Sequence, residues 1–172
     1  MSAEEFLALG ETEQRLELVD GVVVVSPSPL PLHQKIARLL TRQVEDTLPP
    51  GAELFHETDV VLAKRLVYCP DIAVYAPGRI TGTPDRLDLP PDLVIEVLSP
   101  GNRRKDLVTK REDYERHGVG EYWIIEPATV TAIMLRRADD RLIEQPPEAD
   151  TLTCAKIPGI RVDLSQVRRA IG

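Results

Sequence analysis

The sequence predicts an α/β domain of the mixed α+β kind, with a mixed β-sheet flanked by helices. Three observations carry that expectation. Pro91-Asp92-Leu93-Val94-Ile95-Glu96-Val97-Leu98-Ser99-Pro100 is a continuous Leu, Val and Ile run closed by prolines at both ends, the pattern of a central strand buried on both faces. Arg15 to Val25 alternates about Asp20-Gly21, a strong short hairpin signal. Leu32 to Leu48 repeats Ile36, Leu39, Leu40 and Val44 at helical spacing, with Lys35, Arg38, Arg42 and Glu45 opposite. At 172 residues the chain is expected to form one domain, 1–172, with room for a sizeable core.

The elements follow in order. Ser2 and Glu5 form a capping-box start for a short helix that carries Phe6, Leu7 and Leu9. Arg15–Val19 and Val22–Val25 read as paired antiparallel strands, an N-terminal hairpin. Within it Glu17 lies opposite Leu16 and Leu18, which by itself reads as a solvent-facing edge position. Pro27-Ser28-Pro29-Leu30-Pro31 is a stiff extended connector into the long helix, and Pro49-Pro50-Gly51 ends that helix. His33 falls in its first turn, where a packed or hydrogen-bonding histidine is the ordinary reading.

Glu53 to Leu62 and Leu66 to Tyr75 are β-type runs separated by Ala63-Lys64-Arg65, and Pro70-Asp71 opens the apolar end of the second. Gly78 to Pro90 is a polar Gly/Pro/Asp loop. After the central strand, Ser99 to Lys105 reads as a basic loop and Asp106 to His117 as a helix ended by Gly118 and Gly120. Leu107 and Tyr114 mark the buried stripe of that helix, and its spacing leaves open whether Lys110 or Arg111 reaches inward. Glu121 to Ile125 is another buried strand, Thr129–Arg136 and Arg141–Gln145 a hairpin, Leu152–Ile157 a last strand, and Leu164–Ile171 a terminal turn or helix. These are the added C-terminal antiparallel strands.

Composition bounds the function. The 42% apolar and 28% charged fractions are those of an ordinary globular protein. No apolar run approaches the ~20 residues that a membrane helix needs, and the acidic start Met1-Ser2-Ala3-Glu4-Glu5 is unlike a signal peptide. A cytoplasmic location without membrane partners is therefore expected. Cys69 and Cys154 form no metal-ligand spacing, and buried thiols in a reducing cytoplasm are expected of them. The net charge of -7 argues against a protein that coats nucleic acid, although local patches matter more than the sum.

Glu96 is the anomaly. It shares a strand face with Val94 and Leu98, and an ionised carboxylate in an apolar layer costs several kcal/mol unless a cation, a metal or hydrogen-bond donors meet it. Asp71 stands at the mouth of another apolar strand. Carboxylates brought together repel, so ionising them in one site calls for a divalent cation or protons. In the absence of a Cys/His set, oxygen ligands favour Mg2+ or Mn2+ over Zn2+. Such an ion beside a lysine suits phosphodiester hydrolysis.

Leu16-Glu17-Leu18-Val19-Asp20-Gly21, Ser26-Pro27-Ser28-Pro29, His33-Gln34, Pro70-Asp71, Pro91 to Pro100, Lys110 to Tyr114 and Glu121-Tyr122-Trp123 occur in an order that resembles the Uma-type restriction endonuclease family. That family belongs to the PD-(D/E)XK nuclease superfamily, and the resemblance runs from about Glu4 to Asp163. It implies a restriction-endonuclease-like core, a Mg2+-dependent (or Mn2+-dependent) endonuclease acting on DNA, and a homodimer, since cutting both strands calls for two sites. By position, Asp71 matches the PD aspartate, Glu96 the second acid and Glu17 the acid of the early strand, all three as metal ligands in the catalytic set. The superfamily lysine belongs two residues after the second acid, where this chain has Leu98, and the resemblance points instead to Lys110. A degenerate nuclease-fold module that binds a protein or nucleic-acid partner is the alternative, favoured by Leu98 and the acidic balance. Lys110 as a structural ion pair with Glu17 or Glu96 fits that alternative. The basic residues Arg103, Arg104 and Lys105 read either as phosphate contacts or as a solvated charged loop.

Overall fold

The computed structural model describes residues 1–172 except Glu11, Glu13, Pro27 and Asn102. The connector reading at Pro27 and the loop reading at Asn102 thus lie outside the described residues. Two main sheets and a two-stranded ribbon occur among the described residues. The larger has six strands in the order β10-β9-β8-β7-β6-β3, and the smaller has four in the order β2-β1-β5-β4.

The smaller sheet begins from local signals. Helix α1 (Ala3–Leu7) has the expected capping box, with Ser2 and Glu5 bonding reciprocally. Strands β1 (Arg15–Val19) and β2 (Val22–Ser26) pair antiparallel. Asp20 and Gly21 both take positive φ, 52° and 80°, as the tight hairpin turn between them requires. The two β-type runs each divide in two. β3 (Glu53–His56) and β6 (Ile72–Tyr75) join the larger sheet, whereas β4 (Val60–Ala63) and β5 (Leu66–Tyr68) join the smaller one. The breaks fall at Glu57-Thr58-Asp59 and Cys69-Pro70-Asp71, where proline removes a ladder donor. β1 is therefore an interior strand, flanked by β2 and β5, and Glu17 is not the solvent-facing edge residue that its segment suggests.

β7 (Leu93–Val97) is the central strand, antiparallel to β6 and parallel to β8 (Glu121–Glu126). A parallel neighbour demands a crossover. Here it consists of a π-helical turn, Lys105–Lys110, continued by α3 (Arg111–Arg116), with helical backbone already at Arg103. The basic stretch is thus the start of a helix, in place of the expected loop. Gly120 makes the return possible, because a Cβ there would collide with the Asp92 carbonyl oxygen that accepts from Glu121 N–H. The rest of the larger sheet is the hairpin β9 (Thr131–Ala138) and β10 (Arg141–Gln145). The predicted last strand is shorter, β11 (Thr151–Thr153), and pairs with an unanticipated β12 (Arg161–Asp163).

The two faces of β7 meet different layers. Leu93, Ile95 and Val97 pack on α2 (Pro31–Thr47) and α4 (Leu164–Ile171) through Ile36, Leu40, Val44, Leu164 and Val167. Val94 and Leu98 pack with Tyr68, Tyr114, Tyr122 and Leu135. Both cysteines are free and buried. Among the described residues, no helix is long and apolar enough to cross a membrane.

Gly120→Ala should cost about 1–3 kcal/mol in urea denaturation, the usual range for forcing an extra methyl into a packed site. A midpoint unchanged from wild type would show that the β7–β8 return tolerates a wider turn.

Candidate active site

The layer between the sheets holds the acids. Glu17 comes from the middle of β1, Asp71 from the connector between the two sheets, Glu96 from the middle of β7 and Asp106 from the π-turn; all four are buried. They line one polar cavity of about 20 Å³ together with Arg15, Ser26, His33 and Lys110. That is the space of a single water-sized body. The structure therefore gathers Glu17, Asp71, Glu96 and Lys110, the four residues singled out in the sequence.

Lys110 is the hub. Its Nζ lies 2.6 Å from Glu96 Oε1, 3.2 Å from Glu17 Oε1 and 3.5 Å from Asp106 Oδ1. Its ammonium also stands 5.2 Å from the Tyr68 ring centroid. Between Lys110 and Arg111, the structure selects Lys110, which is buried while Arg111 stays half-buried. Tyr114 Oη donates to Glu96 Oε1 at 3.2 Å, and Tyr68, Tyr114 and Tyr122 pack edge to face beneath the site.

A second group holds Asp71. Val97 N–H donates to Oδ2 at 2.7 Å, His33 Nε2 lies 3.2 Å from the same oxygen, and Arg15 Nη1 donates to Oδ1 at 3.1 Å. A third holds Glu17, which accepts from Ser26 Oγ, from Cys69 N–H and from Lys105 Nζ. Arg15, His33, Lys105 and Asp106 are thus site residues outside the predicted catalytic set.

The sequence places Lys105 in the loop before a helix that starts at Asp106. At 3.6 residues per turn, positions five apart lie about 140° apart around a helix. A π-turn, closed by i→i+5 bonds, brings Lys105 and Lys110 to the same side. Lys105, read in the sequence as part of a surface patch, instead reaches Glu17 with its side chain only 17% exposed.

These contacts set the charges. Burial alone would raise the Glu17 carboxyl, but the Lys110 and Lys105 ammoniums overcome it and hold the group down at about 2. Asp71 is likewise held low against burial, by His33 and Arg15. Glu96 goes the other way. Burial drives it up to about 8 despite Lys110, and the Asp71 and Asp106 charges add to the rise. Burial opposes the Lys110 charge as well, yet Glu96, Glu17 and Asp106 hold its pKa well above the ordinary lysine value. The Cys69 thiol is pushed up to about 12 by burial, which removes it as a nucleophile at neutral pH.

Among the described residues, no three His, Cys, Asp or Glu side chains stand as a ready metal cage. The cations Lys110 and Arg15 neutralise the acids instead. Arg15 and Pro29 also line a groove of about 670 Å³ bounded by Gln14, Ser28 and Gln34.

A mixed sheet with a parallel β7–β8 pair, an acid on its central strand, another just before the neighbouring strand and a lysine on the crossover helix defines a restriction-endonuclease-like fold. A solved structure agrees. The chain matches the crystal structure of a protein from Anabaena variabilis ATCC 29413, described as "a putative nuclease belonging to DUF820", with a TM-score of 0.80 over 97% of each chain at 22% identity. That likeness is one of fold. The chain belongs to the Uma2 family, described as "Putative restriction endonuclease", whose pattern matches residues 3–165. No curated protein matches it in sequence.

The Glu17 environment makes a pH prediction. Its value of about 2 lies below the ordinary 4.5, so its stabilising contribution is present above about 4.5 and is lost as pH falls toward 2. In urea melts across that window, Glu17→Gln should flatten the stability curve relative to wild type. Parallel curves would mean that the lysine pairs add nothing to acid stability.

Proposed function

We propose that this protein is a metal-dependent endonuclease that hydrolyses phosphodiester bonds in DNA, acting in the cytoplasm as a homodimer. The observation that carries this reading is the convergence of Asp71, Glu96 and Glu17 on one small cavity beside a buried lysine, in a chain of this family. The donor set is all oxygen, which suits Mg2+ or Mn2+, and the cavity has the size of one ion with little else. Asp71 and Glu96 are the ligands, with Glu17 assisting. The bound cation would polarise the phosphate and lower the pKa of an attacking water.

The chain's own residues do the rest. Lys110, charged and fixed between Glu96 and Glu17, neutralises negative charge that develops on the phosphate oxygens. Arg15 and His33 hold Asp71 in one orientation. Val97 N–H fixes the same carboxylate from β7, so the two principal acids are registered to one strand. The Tyr68–Tyr114–Tyr122 stack closes the floor against water and aims Glu96 through the Tyr114 hydroxyl.

A second reading has a specific observation behind it. Lys110 and Arg15 already neutralise the acids, and Leu98 stands where the superfamily lysine belongs, which fits a non-catalytic module that keeps the fold to bind a partner. Nicking of supercoiled plasmid with Mg2+ or Mn2+ separates the two. Wild type should cut, and Glu96→Ala, Asp71→Asn and Lys110→Ala should each lose about a hundredfold or more, the scale of removing a transition-state contact. Equal cleavage by wild type and Glu96→Ala, or none by wild type, would overturn the nuclease reading. Sedimentation should show a dimer, and a monomer that still linearises plasmid would remove the two-site argument.

A further inference from the structure

β2 ends the smaller sheet with a free edge, and among the described residues no other segment bonds to its outer side. The other three edge strands of the two main sheets are guarded. Val61 N–H on β4 donates to the Leu87 carbonyl at 2.8 Å, β10 exposes Arg141 and Glu144, and β3 exposes Glu53 and His56. Cover and charge are the usual means of blocking edge-to-edge pairing. β2 has neither. Val22-Val23-Val24-Val25-Ser26 is uncharged, and Val22 and Val25 are 64% and 52% exposed. Such a run of β-branched residues at an open edge is a template for another strand.

The hairpin fixes what that edge offers. Its two-residue turn makes Val19 and Val22 a hydrogen-bonded pair, and bonded and non-bonded pairs alternate from there. The N–H and C=O groups of Val23 and Val25 therefore point outward. Both residues also share a face with Leu18 and Leu16, which α1 covers through Phe6 and Leu7. The apolar layer under α1 thus reaches the open edge.

We propose that a second copy of this chain occupies the edge, β2 against β2, about a dyad on Val24. Antiparallel pairing about a dyad is isologous, so one strand supplies both sides of the contact. In this register Val23 of each copy forms a hydrogen-bonded pair with Val25 of the other, all five residues pair, and no like charges meet. Five residues alone fall short of the ~1,200 Å² that a specific interface buries, and the two α1 layers, joined across the edge, enlarge it. The dyad stands normal to the sheet and keeps each face on its own side. Both Glu17 residues then lie on one face of a continuous eight-stranded sheet, on strands about 14 Å apart. The interface thus deepens the homodimer reading above, since two cuts in one duplex call for two sites on one side.

Sedimentation velocity of the full chain tests this. Wild type should be a dimer at micromolar concentration. Val23→Lys combined with Val25→Lys sets lysines opposite one another across the dyad, and should weaken the dimer about a hundredfold or more while the far-UV circular dichroism stays that of wild type. Ile143→Lys, the same change at an exposed position on the β10 edge, should leave the dimer intact. Val24→Cys tests the register independently. Its two copies form a non-bonded pair with Cα atoms about 4.5 Å apart, within disulfide range, and should cross-link on mild oxidation, whereas both native cysteines are buried. A dimer that survives the lysine pair, or a Val24→Cys dimer that does not cross-link, would overturn this interface and leave the homodimer and nuclease readings standing. A monomeric wild type would overturn the interface and the homodimer together, without touching metal-dependent nicking.

Discussion

The fold is built around one buried ammonium. Lys110 stands among Glu96, Glu17 and Asp106 in a layer otherwise made of tyrosine, leucine and valine. Two charges 3.2 Å apart, as Lys110 and Glu17 are, attract by about 5 kcal/mol at an effective dielectric of 20, while desolvation costs several kcal/mol for each ion. One pair alone roughly breaks even. The second carboxylate, the Tyr114 hydroxyl and the Tyr68 ring tip the balance, so the lysine holds because several elements deliver partners to it at once.

That requirement ties the two sheets together. β1 brings Glu17 from the smaller sheet, β7 brings Glu96 from the larger, and the Cys69–Asp71 connector spans the gap between them. The crossover helix supplies the cations, and α2 adds His33 from the opposite side of the central strand. No single segment contains a site. Acids and cations from these elements make a cluster that is nearly balanced in charge, and Arg15 lies both in it and in the wall of a surface groove.

The most legible features in the sequence were those with a local cause. The capping box, the Asp20-Gly21 turn, the α2 stripe and the β7 run each depend on neighbours a few residues away, and each appears in the structure. Glu96 and Asp71 were legible because a carboxylate interrupting an apolar strand is visible without tertiary information. Glu17 was not, from its own segment. Alternation says which face it takes, but only the crossover helix, which brings Lys105 and Lys110 onto that face from far along the chain, buries it. The division of each β-type run between two sheets was hidden for the same reason. Lys105 escaped because helical reasoning assumes 3.6 residues per turn, and the backbone here departs from it. The order of motifs supplied what local physics left out, namely the expectation that Lys110 stands in for the lysine absent at Leu98.

At the centre stands the claim that these acids form a cation site, with the lysine as its neighbour. A crystal soaked in Mn2+ and measured at the manganese absorption edge addresses it most directly. The account predicts one anomalous peak in the cavity, within coordination distance of both Asp71 and Glu96 carboxylates. A well-soaked crystal with no peak there, and with Lys110 and Arg15 still bound to the same oxygens, would contradict it.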